Sequence, residues 1–492
     1  MSVIIRQFDG GIANDEREEV SNSCTLIKHF DTLKPNRLVP YRDMENEAGS
    51  IAQYKIKSVE LCTPTSGTQT LFALGSVASQ TYPAFLEKDT PITGTFALAS
   101  SGTDTGGAVI GNSLIAYKAD LYAMKTSGTH TVVINYDPAT NVLATTGTIT
   151  AQSSASIYPQ PFRHPQDDIL YFGAGNIISK LDNTTFTAEA LVLPSDLIIT
   201  SLTDYGVYLA IACAPKDAGK SYVFLWGRDT SLTTVQETID FGEGNLMVID
   251  NVGGTLVGVS GSSLSASSFD ILPRLVARAY TGGLARVFKE IKSESTVQTL
   301  SNIKAKSKDS LYFTASTRIQ GETVNQIWVC KKNAGGQLII QPDRLANNNT
   351  AVTTVDGLSV IGDYMWVAYD NGSLKRTNDS ASYTATAVYD TLLNPSMPIE
   401  DRSKLKQLKN VSVSFAPLAS SSTLNVQYRF DNGSYEDLLN ATTAGTLNKE
   451  VVKTLDGDTF GTGRELQFRV NSTAAEVTEI KYDYTVNKTL TN

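Results

Sequence analysis

The stretch Asp120-Leu121-Tyr122-Ala123-Met124, followed by Val132-Val133-Ile134-Asn135-Tyr136, decides the fold class of this chain. Both runs are short and rich in apolar, aromatic and β-branched residues, and a polar segment that contains Gly128 separates them. Short apolar runs on either side of a Gly-containing turn predict two strands of a hairpin.

The same unit recurs along the chain. An Asp- or Gly-containing turn precedes a short apolar or aromatic run, and in several copies a second run follows, as in Tyr222–Trp226 and Gln326–Cys330. The first runs of the seven copies are spaced about 38–55 residues apart. They are Thr70–Leu74, Asp120–Met124, Ile169–Phe172, Val207–Ile211, Thr255–Val259, Ser310–Phe313 and Asp363–Val367.

Repeats of this length, each holding several strands, are typical of the blades of a β-propeller. A blade needs neighbours to cover both faces of its sheet, and the unbroken apolar run Leu170-Tyr171-Phe172 fits that need. We therefore expect an all-β chain with a propeller of about seven blades, in which a strand near the N-terminus could close the last blade. A large β-sandwich or several unrelated β domains are the alternatives. The one candidate helix, residues 272–292, contains Pro273 and Gly282-Gly283, so it predicts strand, loop and strand.

A different pattern begins after Asn394-Pro395-Ser396-Met397-Pro398, where two close prolines predict a linker. Apolar and polar residues then alternate, which predicts strands with one buried and one exposed face. The alternating runs are Val411–Phe415, Leu424–Phe430, Leu466–Val470 and Ile480–Tyr484, and Asp431-Asn432-Gly433 is placed as a hairpin turn. We expect an N-terminal arm and the start of the propeller in residues 1–50, the propeller in 51–394, and a small antiparallel β-sandwich in 395–492.

Charge and composition exclude several classes of protein. The 492 residues include 41 basic and 50 acidic side chains, a net charge of -9, with no Lys/Arg-rich run. This disfavours non-specific and sequence-specific nucleic-acid binding alike, because phosphate contacts need clustered cations. The N-terminus lacks the apolar core of a secretion signal, and no stretch approaches the roughly 20 apolar residues of a membrane helix. We expect a soluble protein, made in a reducing cytoplasm, that does not insert into membranes.

The residues that usually carry chemistry are few and scattered. Cys24, Cys62, Cys213 and Cys330 lie far apart, which predicts buried free thiols rather than a metal or redox site, and the histidines His29, His130 and His164 lack metal-ligand spacing. His164 lies in the proline-rich loop Tyr158–Pro165, which predicts a structural or surface histidine. The chain has no Gly-x-Ser-x-Gly motif, and adjacent Asp167-Asp168 predicts a turn rather than a glycosidase carboxylate pair.

Three further patterns have plain structural explanations. Asp456-Gly457-Asp458-Thr459 resembles half of a calcium loop but lacks the later ligands, and Gly102–Gly111 lacks the Lys-Ser/Thr ending of a phosphate loop. Trp226, Trp328 and Trp366 lie in strand-like runs, which predicts core positions, although exposed aromatic rings would stack on sugars. We therefore predict no enzyme, with no catalytic, cofactor-binding or metal-binding residues.

Two segments resemble a known family. Phe8-Asp9-Gly10-Gly11-Ile12-Ala13-Asn14-Asp15-Glu16-Arg17, followed by Lys28-His29-Phe30-Asp31, resembles the opening of β-propeller virion proteins of tailed bacteriophages. In that family a Gly-Gly start and an Asn-Asp-x-Arg run precede the first blade. The stretch from Ser268–Leu275 to Ala279–Gly283 is similar in character, and the expected C-terminal sandwich resembles the small β modules of phage tail proteins.

The resemblance implies a structural tail protein in the virion, akin to a tail nozzle. It implies contacts with other tail proteins and a ring of identical copies, and it implies no catalytic residues. A receptor- or glycan-binding tail adhesin that contacts host surface glycans is the alternative, and a propeller glycosidase is a disfavoured third possibility.

Overall fold

The computed structural model describes most of the chain. The described residues are 1–8, 24–28, 30–32, 36–47, 53–65, 67–77, 82–91, 94–101, 107–150, 157–217, 219–229, 234–261, 274–292, 299–319, 322–345, 355–369, 373–377, 386–445, 448–452 and 460–486. Contacts divide the chain into two compact units. Residues 44–317 and 351–377 form the propeller unit, and residues 1–43, 318–350 and 378–492 form what we call the two-sheet unit.

In the described part of the N-terminal region, five short strands precede the repeats. They are β1 (Ser2–Ile5), β2 (Cys24–Lys28), β3 (Phe30–Asp31), β4 (Val39–Pro40) and β5 (Met44–Asn46). Strands β3 and β4 pair with each other, whereas β1, β2 and β5 join sheets whose other strands come much later in the chain.

Seven four-stranded antiparallel sheets follow, which we number as blades 1 to 7. Blade 1 holds β6 (Tyr54–Cys62), β7 (Thr70–Val77), β8 (Pro83–Lys88) and β9 (Ala97–Ser101), and blade 2 holds β10 (Ile115–Tyr117), β11 (Asp120–Ser127), β12 (His130–Asp137) and β13 (Val142–Ile149). Blade 3 holds β14 (Phe162–Arg163), β15 (Leu170–Ala174), β16 (Ile177–Asp182) and β17 (Thr185–Val192), and blade 4 holds β18 (Leu197–Tyr205), β19 (Tyr208–Pro215), β20 (Lys220–Trp226) and β21 (Glu237–Glu243). Blade 5 holds β22 (Asn245–Val252), β23 (Thr255–Gly261), β24 (Arg274–Tyr280) and β25 (Arg286–Lys292). Blade 6 holds β26 (Thr299–Ser307), β27 (Ser310–Ile319), β28 (Glu322–Lys332) and β29 (Leu338–Leu345), and blade 7 holds β30 (Val355–Ile361), β31 (Tyr364–Tyr369), β32 (Leu374–Thr377) and β5.

The fold is a β-propeller, as the repeats predicted. Each of the seven recurring runs falls in or at the start of the second strand of a blade, and the second runs Val132–Tyr136, Tyr222–Trp226 and Gln326–Cys330 fall in third strands. The segment 272–292 contains β24 and β25 and no helix among its described residues, so the strand–loop–strand prediction is confirmed. Apolar clusters join neighbouring blades, because each sheet has a second face to cover. One such cluster packs Trp366 of blade 7 against Leu71 of blade 1.

A strand from early in the chain completes blade 7, as expected. Strand β5 pairs antiparallel with β32 and places Glu45 opposite Arg376. The next acidic residue, Glu47, is buried and accepts hydrogen bonds from Lys88 of blade 1 at 2.7 Å and from the indole of Trp366 at 3.0 Å. One carboxylate therefore joins the first and last blades, and we call this contact the latch.

Among its described residues, the two-sheet unit contains the remaining strands and one short helix. These are β33 (Ala387–Thr391), α1 (Ile399–Arg402), β34 (Lys406–Phe415), β35 (Thr423–Phe430), β36 (Glu436–Ala441), β37 (Asn448–Val452), β38 (Thr462–Gly463), β39 (Leu466–Thr473) and β40 (Val477–Val486). One sheet has the order β1-β40-β34-β37, with β38 also paired to β34, and the other has the order β2-β33-β39-β35-β36. All four alternating runs are strands, and their stacking as a sandwich stays a prediction.

The unit boundaries differ from those we expected from the sequence. Residues 1–43 belong to the two-sheet unit, where β1 pairs with β40 from Ser2↔Asp483 to Ile5↔Ile480. The propeller unit ends at Thr377 rather than near residue 394, because β33 pairs with β2 and β39. Residues 318–350, which contain the last two strands of blade 6, also cluster with the two-sheet unit. Strand pairing joins distant segments, so a change of composition at residues 394–398 did not mark the boundary.

The expected hairpin turn is present between β35 and β36. Asp431 and Asn432 have φ values of 50° and 59°, and Gly433 N donates to Phe430 O at 2.8 Å. Asp and Asn tolerate this left-handed region better than most residues, which explains their use here.

Candidate functional site: the axis of the propeller

The first strands of the blades, with the segments that lead into them, carry polar residues that are buried. Asn112 precedes β10, Asp250 lies on β22, and Lys304 lies on β26. Buried polar groups need hydrogen-bond partners, and these residues find theirs on other blades.

Asn112 connects four blades. Its side-chain Nδ2 donates to Lys304 O of blade 6 at 3.0 Å, and its Oδ1 accepts from Leu358 N of blade 7 at 3.3 Å. Its backbone N–H donates to Lys57 O of blade 1 at 3.0 Å. Since blades 2 and 6 are not neighbours in a ring of seven, the bond between them crosses the centre.

Asn302 also links non-adjacent blades, with blade 6 as the donor. It lies on β26 of blade 6, and its Nδ2 donates to Tyr158 O at 2.6 Å and to Thr200 O at 3.4 Å. Tyr158 precedes β14 of blade 3, and Thr200 lies on β18 of blade 4. Blade 6 therefore contacts three non-adjacent blades, 2, 3 and 4, through backbone or amide groups.

The Lys304 side chain completes the network. Its Nζ lies 2.8 Å from Leu202 O, 2.7 Å from Ile249 O and 3.1 Å from Asp250 Oδ2. Three acceptors match the three N–H groups of an ammonium, so the geometry favours the protonated lysine. Thr203 also donates to Asp250 Oδ1 at 3.1 Å.

The charges of this cluster support one another. Burial alone raises the pKa of Asp250, but the Lys304 and Lys306 ammonium groups outweigh that effect and hold its pKa below the ordinary value. Burial lowers the pKa of Lys304, and the adjacent carboxylate of Asp250 opposes that shift. Asp250 and Lys304 therefore form a buried ion pair whose hydrogen bonds are satisfied on both sides.

Two glycines allow the backbones to approach this closely. A Cβ on Gly111 would lie 2.5 Å from Asp356 O, and a Cβ on Gly357 would lie 2.3 Å from Lys57 O. Both distances are shorter than real Cβ contacts allow, so only glycine fits without a backbone shift.

The arrangement leaves little chemistry for the axis. The central channel of a propeller is where a ligand would be expected, and here hydrogen bonds from Asn112, Asn302 and Lys304 span it. The Lys304 ammonium has no free donor, so it cannot act as a nucleophile without losing its contacts. Among the described residues, this network links all seven blades across the axis.

His164 lies outside this network, in a buried cluster between blades 3 and 4. Its Nε2 lies 3.3 Å from Tyr208 O and its Nδ1 lies 3.0 Å from Arg228 Nη1. Burial and the Arg228 charge lower the pKa of His164, which keeps the ring neutral near pH 7. Of the two roles predicted for His164, structural or surface, these buried contacts favour the structural one. Asp167 ends the turn before β15 and accepts hydrogen bonds from Tyr171 and Arg228, so the predicted turn is confirmed.

The other candidates do not converge on one site. His130 is exposed at the start of β12, whereas His29, Asp456–Thr459 and Gly102–Gly106 lie outside the described residues, as does the stretch 9–23. Within the described ranges, no three His, Cys, Asp or Glu side chains are grouped to hold a metal ion. No helix in the described part of the chain is long and apolar enough to cross a membrane.

The cysteines and tryptophans are core residues, as predicted. All four cysteines are free thiols that are buried, and Trp226, Trp328 and Trp366 are each at most 1% exposed. No tryptophan ring is therefore available to stack on a sugar at the surface.

Sequence reasoning missed the axial residues. The repeats were recognised from second strands, whose aromatic runs stand out, whereas Asn112, Asn302 and Lys304 lie upstream of those runs. Strand β26 is largely polar and Asn112 precedes β10, so neither stands out in the sequence. Asp250 follows the apolar run Leu246–Ile249, and a polar residue in such a run is a usable signal because a buried strand normally carries one only where it has a partner.

Comparison with known proteins adds the fold only. No family model matches the sequence, and no curated protein matches it. Similar solved structures include Sqt1 from Chaetomium thermophilum, with 8% identity and a TM-score of 0.39 over 68% of this chain and 100% of that one. The Dos1 propeller has 11% identity and a TM-score of 0.41 over 69% of this chain and 94% of that chain. The β-propeller domain of the Trilobed protease from Pyrococcus furiosus has 9% identity and a TM-score of 0.38 over 68% and 95% of the two chains. Likenesses this distant carry no argument about what the protein does.

Proposed function

We propose that the protein is a non-enzymatic structural component of the virion of a tailed bacteriophage, located in the tail. It assembles there through protein–protein contacts, with copies of itself in a ring and with other tail proteins. The observation that carries this proposal is the set of hydrogen bonds across the propeller axis. A propeller that binds a ligand or catalyses a reaction at its centre needs an open channel. A structural module instead needs blades in fixed positions, which hydrogen bonds across the axis provide.

The latch supports the same role. Lys88 and Glu47 have side chains at most 1% exposed, and their ion pair connects blade 1 to the strand that closes blade 7. A ring fixed by a buried ion pair resists opening, because separating the two charges would break a contact that water cannot readily replace. Such a module suits a particle that has to survive outside a cell.

The sequence supplies the phage assignment. The opening Phe8–Arg17 and the segment 268–283 resemble β-propeller virion proteins of tailed phages, and the net charge of -9 disfavours adhesion to DNA packed in the same particle. Identical copies would meet through repeated contacts, which is the usual basis of closed oligomers.

Mass spectrometry of purified particles tests the proposal. Particles from a phage whose genome encodes this chain are banded twice on density gradients, and their proteins are quantified against the major capsid protein. We expect a fixed, small whole number of copies of the chain per particle. A replication protein from the same genome is the control, and we expect it to be depleted from the particles. Absence of the chain from the particles, or its loss in step with the control, contradicts the proposal.

A further inference from the structure

The two-sheet unit contains a pocket of about 460 Å³ that the propeller axis does not involve. It lies beside α1 and the β35–β36 turn, and its lining includes Asn394, Arg402, Asp431 and Arg464. A volume of this order is ordinary for a small-molecule site.

Asn394 fixes the base of the pocket. It adopts φ = 51°, and its Nδ2 donates to Arg402 O at 3.0 Å and to Arg464 O at 3.1 Å, while its Oδ1 accepts from Leu466 N at 3.0 Å. One buried amide therefore joins the backbones of both arginines. The two side chains start from a rigid and shared origin.

Lys406 fixes the same carbonyls from the protein interior. Its buried Nζ donates to Arg402 O and to Lys404 O, each at 2.9 Å, and also to Arg464 O. Burial lowers the pKa of Lys406 to about 8, so it is mostly protonated at neutral pH and adds positive charge behind the pocket. Because the carbonyl groups of Arg402 and Arg464 already accept these hydrogen bonds, the polar groups available to a ligand are side chains.

The two guanidinium groups are only partly used. Arg402 Nε donates to Met397 O at 3.3 Å. The terminal amino groups of Arg402 and the whole Arg464 guanidinium have no hydrogen-bond partner among the described residues. Planar guanidinium groups with open donors match the two oxygens of a carboxylate.

The other lining residues restrict which anion fits. Asp431 and Glu465 place carboxylates at the same pocket, and these repel a multiply charged phosphate more strongly than a singly charged carboxylate. Asp431 Oδ1 already accepts from the backbone N–H groups of Arg464 and Glu465, each at 2.8 Å, so Asp431 Oδ2 is the acceptor available to a ligand hydroxyl. Ser403 adds a hydroxyl, and Leu393 adds an apolar surface against which a ring can pack. The pocket thus offers cations for one carboxylate, and Asp431 Oδ2 and the Ser403 hydroxyl for the hydroxyl groups of a ligand.

We infer that this pocket binds a carboxylate-bearing sugar, such as a uronic acid or a sialic acid, through Arg402 and Arg464. The inference does not depend on the virion assignment, because it rests only on groups of this unit.

Calorimetry on the purified full chain tests the inference. The probes are sodium glucuronate, sodium N-acetylneuraminate, glucose and sodium sulfate, titrated into the wild type and into the variants Arg464→Ala, Arg402→Gln and Lys481→Ala. Lys481 is exposed on β40 and is not part of the pocket, so it is the matched loss of one positive charge.

We expect saturable binding of at least one of the two acid sugars, weakened about tenfold or more by each arginine change and unaffected by Lys481→Ala. The acid sugar that binds more tightly then identifies which class of sugar, uronic acid or sialic acid, supplies the carboxylate. The inference is overturned if glucose binds as tightly as glucuronate, or if sulfate binds as tightly as both acid sugars. It is also overturned if neither acid sugar gives binding heat at concentrations on the order of 10 mM. Arg464 is exposed, so its variant is expected to fold, and an unchanged melting temperature shows that any loss of binding is local.

Discussion

Lys88 Nζ lies 2.7 Å from Glu47 Oε1, and neither side chain is more than 1% exposed to solvent. Arg376 and the Trp366 indole also approach Glu47 Oε2, at 3.4 Å and 3.0 Å. Several cationic or donor groups thus converge on one buried carboxylate, which lies just after the strand that closes the ring.

Removing this carboxylate is expected to destabilise the propeller strongly. Glu47→Ala removes the carboxylate that pairs with the buried ammonium of Lys88 beside Phe96, and breaking a buried pair costs about 3–5 kcal/mol. Urea unfolding followed by tryptophan fluorescence measures the loss. Glu45→Ala is the matched control, since Glu45 pairs with the same Arg376 but is one-third exposed. For this variant we expect the free energy of unfolding to fall by about 1 kcal/mol or less. Equal losses for the two variants would show that Glu47 is not a latch.

The axial network gives a second stability prediction. Lys304 and Lys306 both contact Asp250, but the Lys304 side chain is 6% exposed and the Lys306 side chain is 37% exposed. Lys304→Met removes the three hydrogen bonds that its Nζ makes to other blades. We expect the free energy of unfolding to fall by roughly 3 kcal/mol. Lys306→Met is expected to cost less than half as much. The prediction fails if the ranking of the two melting temperatures is reversed.

Glu60 predicts a pH dependence with a definite sign. Burial raises the pKa of Glu60 from 4.5 to about 8, although a hydrogen bond from the Ala116 backbone opposes the shift. The folded state therefore holds this proton to a higher pH than the unfolded state, so the contribution of Glu60 to stability is full below pH 4.5 and is lost progressively up to about pH 8. Glu60→Gln cannot ionise. We expect the difference in unfolding free energy between variant and wild type to grow in the variant's favour across that window, and a flat difference would contradict the pKa shift.

Thiol labelling tests the buried cysteines. Cys24, Cys62, Cys213 and Cys330 are at most 1% exposed, and burial raises the pKa of the Cys62 thiol to about 11 and that of Cys330 to about 12. Since only the thiolate reacts readily, we expect almost no reaction with Ellman's reagent in the native protein and four equivalents in guanidinium chloride. One fast equivalent in the native state would place a cysteine at the surface.

Local sequence patterns were sufficient for the blades. Aromatic runs such as Asp120–Met124 identify second strands because neighbouring blades cover both faces of the sheet, and Asp431-Asn432 identifies a hairpin because few residues tolerate its backbone angles. The pairing of β1 with β40 could not be predicted, since Ser2–Ile5 fits the edge of any sheet. The meeting of Asn112 with Lys304 was equally hidden, because it depends on two strands that lie far apart in the chain and face each other only after the ring has formed.

The pairing of β5 with β32 also sets an order of events during synthesis. About 330 residues separate the two strands, and a ribosome that adds about 5–20 residues per second takes roughly a quarter of a minute to a minute to cover that interval. During this time Met44–Asn46 has no β32 to pair with, and blade 1 lacks the neighbour that will later cover Leu71. The nascent protein is therefore exposed to mispairing and chaperone capture until translation has passed residue 377.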